Sequence, residues 1–241
     1  MNNELRFGRF TSSEIFRLMT EGKAKGSFGK PALTYISERN MERRLGRTLK
    51  NDVDAKACDW GLLCEGYVFD MLSLEYSTQS KQTIVHPEID YFSGSPDSVC
   101  YGQENAVVDI KAPWTLKSFC EIIDGWKSNG IQGIRDGHEH GEKYYWQLVS
   151  NAILTDCKEG ELIVFCPYQS EVMRLMGRGA SEYKWLEYAS MDSIPWLIDD
   201  NGYYQSLNKF RFPIPDADKI ALHERVVEAG KMLVQTNLIP A

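Results

Sequence analysis

The segment from Gly94 to Pro113, GSPDSVCYGQENAVVDIKAP, constrains this chain more than any other. It sets a lone carboxylate, Asp97, ahead of an Asp109-Ile110-Lys111 triplet that closes an apolar run. Residues two apart in an extended strand share a face, so Asp109 and Lys111 project together beside Val107 while Val108 and Ile110 project the other way. Charge on one face of an apolar strand is unfavourable unless each ion finds a partner or a metal. Two converging carboxylates suit a hard divalent cation with oxygen ligands, such as Mg²⁺. A lysine beside that cation can orient or deprotonate a water, which is the chemistry of metal-assisted phosphodiester hydrolysis. The plainer alternative is a surface hairpin in which Asp97 caps a turn and Asp109 pairs with Lys111.

With 241 residues and 43% hydrophobic content the chain can bury one substantial core, and it has no long Pro/Gly/Ser linker, so one domain over 1–241 is expected. No stretch has the length of an apolar membrane span, and MNNELRFGRF lacks an apolar leader; a soluble, cytoplasmic protein without membrane contact is expected. Six cysteines, among them Cys58 and Cys64, form no C-x-x-C pair, which argues against zinc or an iron–sulfur cluster. The net charge of −7 is unevenly spread, since residues 1–50 carry 11 Lys and Arg against 5 Asp and Glu. Either Arg39, Arg43, Arg44 and Arg47 form a solvated helix face, or they form a basic lip that guides a phosphate backbone.

Thr11-Ser12-Ser13-Glu14 has the form of a capping box, so a helix is expected from Thr11. Gly22 to Lys30 reads as a mobile basic loop. A helix follows from Pro31 to Leu45 with Leu33, Ile36 and Leu45 buried, and another from Asp54 to Tyr76 with Trp60, Leu63, Tyr67, Met71 and Leu74 on its apolar side. Glu65 is the odd member of that helix. Short runs at Gln82 to His86, Tyr91 to Gly94, Ser98 to Tyr101 and Ala106 to Lys111 predict an antiparallel meander. Beyond it come a helix from Thr115 to Asp124, a polar glycine-rich stretch to Gly141, and a helix from Glu142 to Leu154. A hairpin from Glu161 to Leu175 and a final helix from Asp216 to Gln235 complete the reading. The order fits an α/β (α+β) fold with a central mixed sheet flanked by helices. His138 and His140, two apart in a glycine-bounded run, lack the helical spacing of a zinc hydrolase and are read as part of a loop.

Pro96-Asp97 with Asp109-Ile110-Lys111 resembles the PD-(D/E)xK nuclease motif. Leu5-Arg6-Phe7-Gly8 with Thr11-Ser12-Ser13-Glu14-Ile15, Trp60-Gly61 with Glu65, Ser95-Pro96-Asp97, Asp109-Ile110-Lys111 and Gln147 together resemble, in order and approximate spacing over residues 5 to 175, the lambda-exonuclease-like family of viral-type recombination exonucleases. The resemblance implies a restriction-endonuclease-like core over 5–175 with a C-terminal extension over 188–241. It implies a phage-type enzyme in a bacterial cell that degrades one strand of linear duplex DNA from its 5′ end. The product would be a 3′ overhang for a single-strand annealing protein, and the assembly a homotrimeric ring.

Carried over by position, the resemblance makes Asp97, Asp109 and the Ile110 carbonyl ligands of Mg²⁺, with Mn²⁺ able to substitute. Lys111 would activate the attacking water, Glu65 would hold a second metal or its water shell, and Gln147 would position the water or Lys111. Arg6 and Ser13 would bind the 5′-phosphate, as a guanidinium and a helix N-terminus can. Cys58 stands where the family places a strand-separating leucine. The alternatives are an endonuclease on the same core and a non-catalytic module that binds DNA ends.

Overall fold

The computed structural model describes residues 5–49, 56–77, 82–198 and 201–235. At its centre is a four-stranded sheet in the order β4-β5-β6-β7, built from Ser98–Cys100, Ala106–Lys111, Glu159–Phe165 and Leu207–Pro213. β5 pairs antiparallel with β4 and parallel with β6, and β7 runs antiparallel to β6. The sheet is therefore mixed, as the sequence implies. A smaller sheet in the order β1-β3-β2 joins Phe10–Thr11, Phe92–Gly94 and Ile84–Val85, with β1 parallel to β3. The expected meander is thus split in two, because the strand between Pro87 and Lys111 leaves one sheet at Gly94 and enters the other at Ser98.

Side-chain alternation along β5 divides the core. Val107 joins a large cluster with α3 (Leu116–Gly137) and α4 (Gly141–Thr155), through Phe119, Ile122, Leu148 and Val149. Ala106, Val108 and Ile110 join a second cluster with α2 (Lys56–Met71) and α5 (Gln169–Gly179), through Trp60, Cys64, Val172 and Leu175. Asp109 and Lys111, in phase with Val107, are delivered to the α4 side. Beyond residue 188, β7 completes the central sheet and α6 (Asp216–Gly230) buries Leu222 and Val226 in the large cluster.

Several elements differ from the sequence reading. The first helix begins where expected but is a 3₁₀ helix over Ser12–Met19, and Thr11 makes no side-chain cap. Instead the Thr11 backbone N–H donates to the Tyr35 hydroxyl at 2.8 Å. α1 (Lys30–Leu45) forms, but Leu33 and Leu45 are exposed and its buried face is Tyr35, Ile36, Arg39, Glu42 and Arg43. The expected start of the next helix at Asp54 lies outside the described residues; α2 ends at Met71, and Leu74 beyond it is fully exposed. The stretch 125–137 is helical rather than a loop, with a kink at Asn129 and Gly130 (φ 56°). Its glycines serve close packing, since a Cβ on Gly133 would sit 2.0 Å from the Gly125 carbonyl oxygen. The supposed second hairpin strand, Glu171 to Leu175, is part of α5, and β7 takes the place beside β6.

The basic loop over 22–29 is fastened rather than left loose. Arg225 of α6 donates to the carbonyl oxygens of Leu18, Thr20, Gly26 and Ser27. Asn40 and Arg43 of α1 likewise bond the backbone at Met232 and Val234. No helix among the described residues is long and apolar enough to cross a membrane.

Candidate active site

The register of β4 on β5 pairs Ser98 with Val108, and the Asp97 N–H donates to the Val108 carbonyl at 3.2 Å. One further step of an antiparallel ladder sets Asp97 across from Asp109 on the same face. The Ile110 N–H donates to Asp97 Oδ2 at 2.6 Å, which fixes that carboxylate against the strand. Asp109 is 1% exposed; its Oδ2 lies 2.7 Å from Lys111 Nζ, and the Lys111 side chain is 22% exposed. From α4, Gln147 bridges the two, with Nε2 donating to Asp109 Oδ1 at 2.7 Å and Oε1 accepting from Lys111 Nζ at 3.3 Å. The surface-hairpin alternative is therefore excluded, because this pair is buried under a helix.

Burial pushes the Asp97 carboxyl well above the usual carboxylate range, and the Asp109 charge adds to it against the pull of Lys111. For Lys111, burial favours the neutral amine, but the carboxylates of Asp109 and Asp97 outweigh it and the net direction is upward. The resting site thus holds two neighbouring carboxyl groups with one ammonium paired to Asp109. Asp109 Oδ2 has no aligned hydrogen-bond donor, only the ionic contact with Lys111. A buried carboxylate oxygen without an aligned donor, opposite a second desolvated carboxyl, fits a divalent cation. No group of three His, Cys, Asp or Glu side chains converges as a ready cage among the described residues. Further coordination would fall to the Ile110 carbonyl and water.

Glu65 reaches the site differently. It lies on α2, across the sheet from α4, close enough for its charge to raise the Asp97 pKa further. It is half-buried and lines a cleft of about 490 Å³ with Phe69, Tyr76, Ser77 and Arg178.

Arg6 and Ser13 are brought together, with the Arg6 guanidinium donating to Ser13 Oγ at 3.4 Å. The turn between them is gripped by α1: Glu42 Oε2 accepts from the Gly8 N–H and Arg43 Nε donates to the Gly8 carbonyl, both at 2.8 Å. Arg39 and Arg43 are therefore buried scaffold, Arg39 pairing with Glu42 at 2.7 Å, and only Arg44 and Arg47 of the supposed lip are exposed. Burial lowers the Arg6 pKa, the Tyr35 hydroxyl group opposes that, and the nearby Arg39 charge adds to the lowering. Ser12 Oγ meets Ser150 Oγ of α4 at 2.8 Å. Ser150 follows Gln147 by three residues, roughly 4.5 Å along the helix axis, so one element ties the Arg6 turn to the carboxylates.

His138 is buried rather than exposed in a loop, and both ring nitrogens are engaged: Nε2 with Ser118 Oγ at 2.7 Å, Nδ1 accepting the His140 N–H at 3.1 Å. Cys58 is exposed on the first turn of α2. Tyr144, which sequence reading passed over, places its ring centroid 5.4 Å from Lys111 Nζ.

No family model and no curated protein matches this chain. Solved structures do. An alkaline exonuclease, LHK-Exo, from Laribacter hongkongensis superposes with a TM-score of 0.60 at 16% identity, covering 94% of this chain and 89% of that one. The same enzyme in complex with dAMP gives 0.62 at 15% identity, covering 95% and 90%. A phage-related exonuclease from Haemophilus somnus 129PT gives 0.62 at 14%, covering 95% of each chain. This chain shares their fold, in line with the restriction-endonuclease-like core and the lambda-exonuclease-like resemblance.

Proposed function

We propose that this chain is a metal-dependent deoxyribonuclease that degrades one strand of linear duplex DNA in the 5′→3′ direction and leaves a 3′ overhang. One observation carries the reading: Asp97, Asp109, Lys111 and Gln147 converge on one sheet face, and α4 links them through Ser150 and Ser12 to the turn that carries an Arg6–Ser13 pair suited to a phosphate. The shared fold of two exonucleases supports it.

Asp97 and Asp109, with the Ile110 carbonyl, would hold Mg²⁺ or Mn²⁺, which supplies Lewis-acid charge to a phosphate and acidifies water. Gln147 keeps Asp109 and Lys111 in register through its two amide ends. Lys111 Nζ, protonated at rest, donates to oxygen and stabilises charge that develops on a phosphate. Were the charge of its two carboxylate neighbours shared with a bound cation, burial would favour the neutral amine, which would release its proton to solvent and could then accept one from water. Glu65 would act on a second cation or its water shell. Arg6 and Ser13 hold a 5′-terminal phosphate and so set polarity. By family resemblance, the product strand passes to an annealing protein and three copies encircle DNA.

Purified protein with Mg²⁺ is expected to degrade 5′-phosphorylated linear duplex faster than its unphosphorylated copy, and to leave a closed circle intact. Cutting of the circle identifies an endonuclease. Tight binding to ends without cleavage in any metal identifies a non-catalytic module.

A further inference from the structure

Lys111 is backed by an aromatic stack on the α4 side of the sheet. The Tyr144 ring lies 5.4 Å from Lys111 Nζ and is itself only 8% exposed. His138 stacks on Tyr144 at 5.5 Å with an interplanar angle of 21°. Ser118 Oγ and the His140 backbone N–H hold both nitrogens of His138, so the imidazole cannot rotate without breaking two hydrogen bonds. Tyr144 also shares a face of α4 with Gln147, one turn on, which is bonded to Asp109 and Lys111. Four flexible bonds separate Nζ from the Lys111 backbone, and a free ammonium would sample many rotamers.

We propose that Tyr144, locked by the stacked and doubly bonded His138, is a positioning residue that confines the Lys111 ammonium to the angle from which it serves Asp109 and the reacting water. The inference rests on the nuclease reading for its catalytic consequence, but the confinement itself does not. A ring face near a desolvated ammonium attracts it, and a ring fixed by a second ring cannot follow if the lysine swings away. The role belongs to the ring face and not to the phenol oxygen.

Two assays separate the brace from the activity. In the first, the lysines of metal-free protein are trace-labelled with acetic anhydride and Lys111 is quantified by mass spectrometry, without DNA. Tyr144→Leu should raise Lys111 labelling about threefold or more, and Tyr144→Phe should leave it near wild type. In the second, steady-state cleavage of 5′-phosphorylated duplex should show kcat reduced about tenfold or more for Tyr144→Leu with KM little changed, and most of the rate recovered in Tyr144→Phe. Should Tyr144→Leu fail to fold, His138→Ala is read in both assays and should move each the same way. Wild-type labelling and kcat in a folded Tyr144→Leu overturn the inference, as does equal loss in the Phe variant, which would place the role on the hydroxyl. A wild-type protein that cleaves no DNA refutes the nuclease reading, and the labelling arm still decides the brace.

Discussion

Removing the Lys111 ammonium does two separable things. Lys111→Ala takes away the group assigned to the water, so cleavage should fall by several orders of magnitude. It also strands the buried Asp109 charge, which costs about 3 kcal/mol when a buried pair is broken, less to the extent that Lys111 is solvated. The metal-free variant should therefore melt several degrees lower by calorimetry, and an unchanged Tm would contradict the ion pair. Asp97 acts in the opposite sense. Its folded pKa lies above its unfolded value, so the stability it contributes is full at acid pH and lost as pH rises through the folded value. In EDTA, wild-type Tm should decline from mildly acidic to neutral pH, whereas Asp97→Asn should flatten that decline and melt higher at neutral pH. Identical pH profiles would rule this out. The Asp109–Lys111 pair was legible in the sequence because a period of two is a property of the strand alone. Tyr144 was not, since its contact with Lys111 depends on how α4 docks on the sheet.

At the scale of elements, the 3₁₀ helix, β3 and α4 meet where only a glycine fits. A Cβ on Gly94 would lie 2.1 Å from Ser12 Oγ and 2.5 Å from Asn151 Oδ1. Gly94→Ala should destabilise the protein by about 1–3 kcal/mol, as overpacking does, and this is readable as a lower urea midpoint at constant m-value. It should also weaken the placement of Arg6 and Ser13, because the displaced Ser12 carries the bond to Ser150. An unchanged midpoint would mean that the junction relaxes freely. Element type was legible for α1, from Pro31 in its first turn, and for α2, α4 and β5, from their apolar runs, but the buried face of α1 was not, since Leu33 and Leu45 are exposed. It failed at 125–137, where glycines that allow helices to touch look like loop signals, and at Glu171 to Leu175, where an apolar run too short to reveal its period belongs to a helix. β7 carries alternating Phe210 and Phe212, yet its partner β6 lies over forty residues earlier in the chain, and no local pattern states that pairing.

For the whole molecule, the proposed polarity on DNA would trace to the Arg6–Ser13 end of the site. Arg6→Ala should remove most of the rate advantage of 5′-phosphorylated over unphosphorylated duplex in a competition assay, while hydrolysis itself persists. Retention of the full advantage would place phosphate recognition elsewhere. The proposed ring predicts a species of about three times 27.5 kDa in light scattering, and a strict monomer at working concentration would contradict it. At this scale the ordered motifs pointed to the fold because they fall in order on the first 3₁₀ helix, α2, β5 and α4, although β6 and β7 lie beyond the last of them. They could not reveal that the buried arginines of α1 are scaffold, since a guanidinium bonded to a backbone carbonyl and one facing solvent read the same in sequence.

The Arg225 clasp ties the timetable of synthesis to competence. A nascent chain that has emerged through Leu175 already owns both aspartates, Lys111 and Gln147, but the guanidinium that fastens the early basic loop is translated some fifty residues afterwards. An unfinished polypeptide would hold these side chains before β7 completes the sheet and α6 the core around them, so a ribosome-tethered fragment should gain activity only after its last helix has docked.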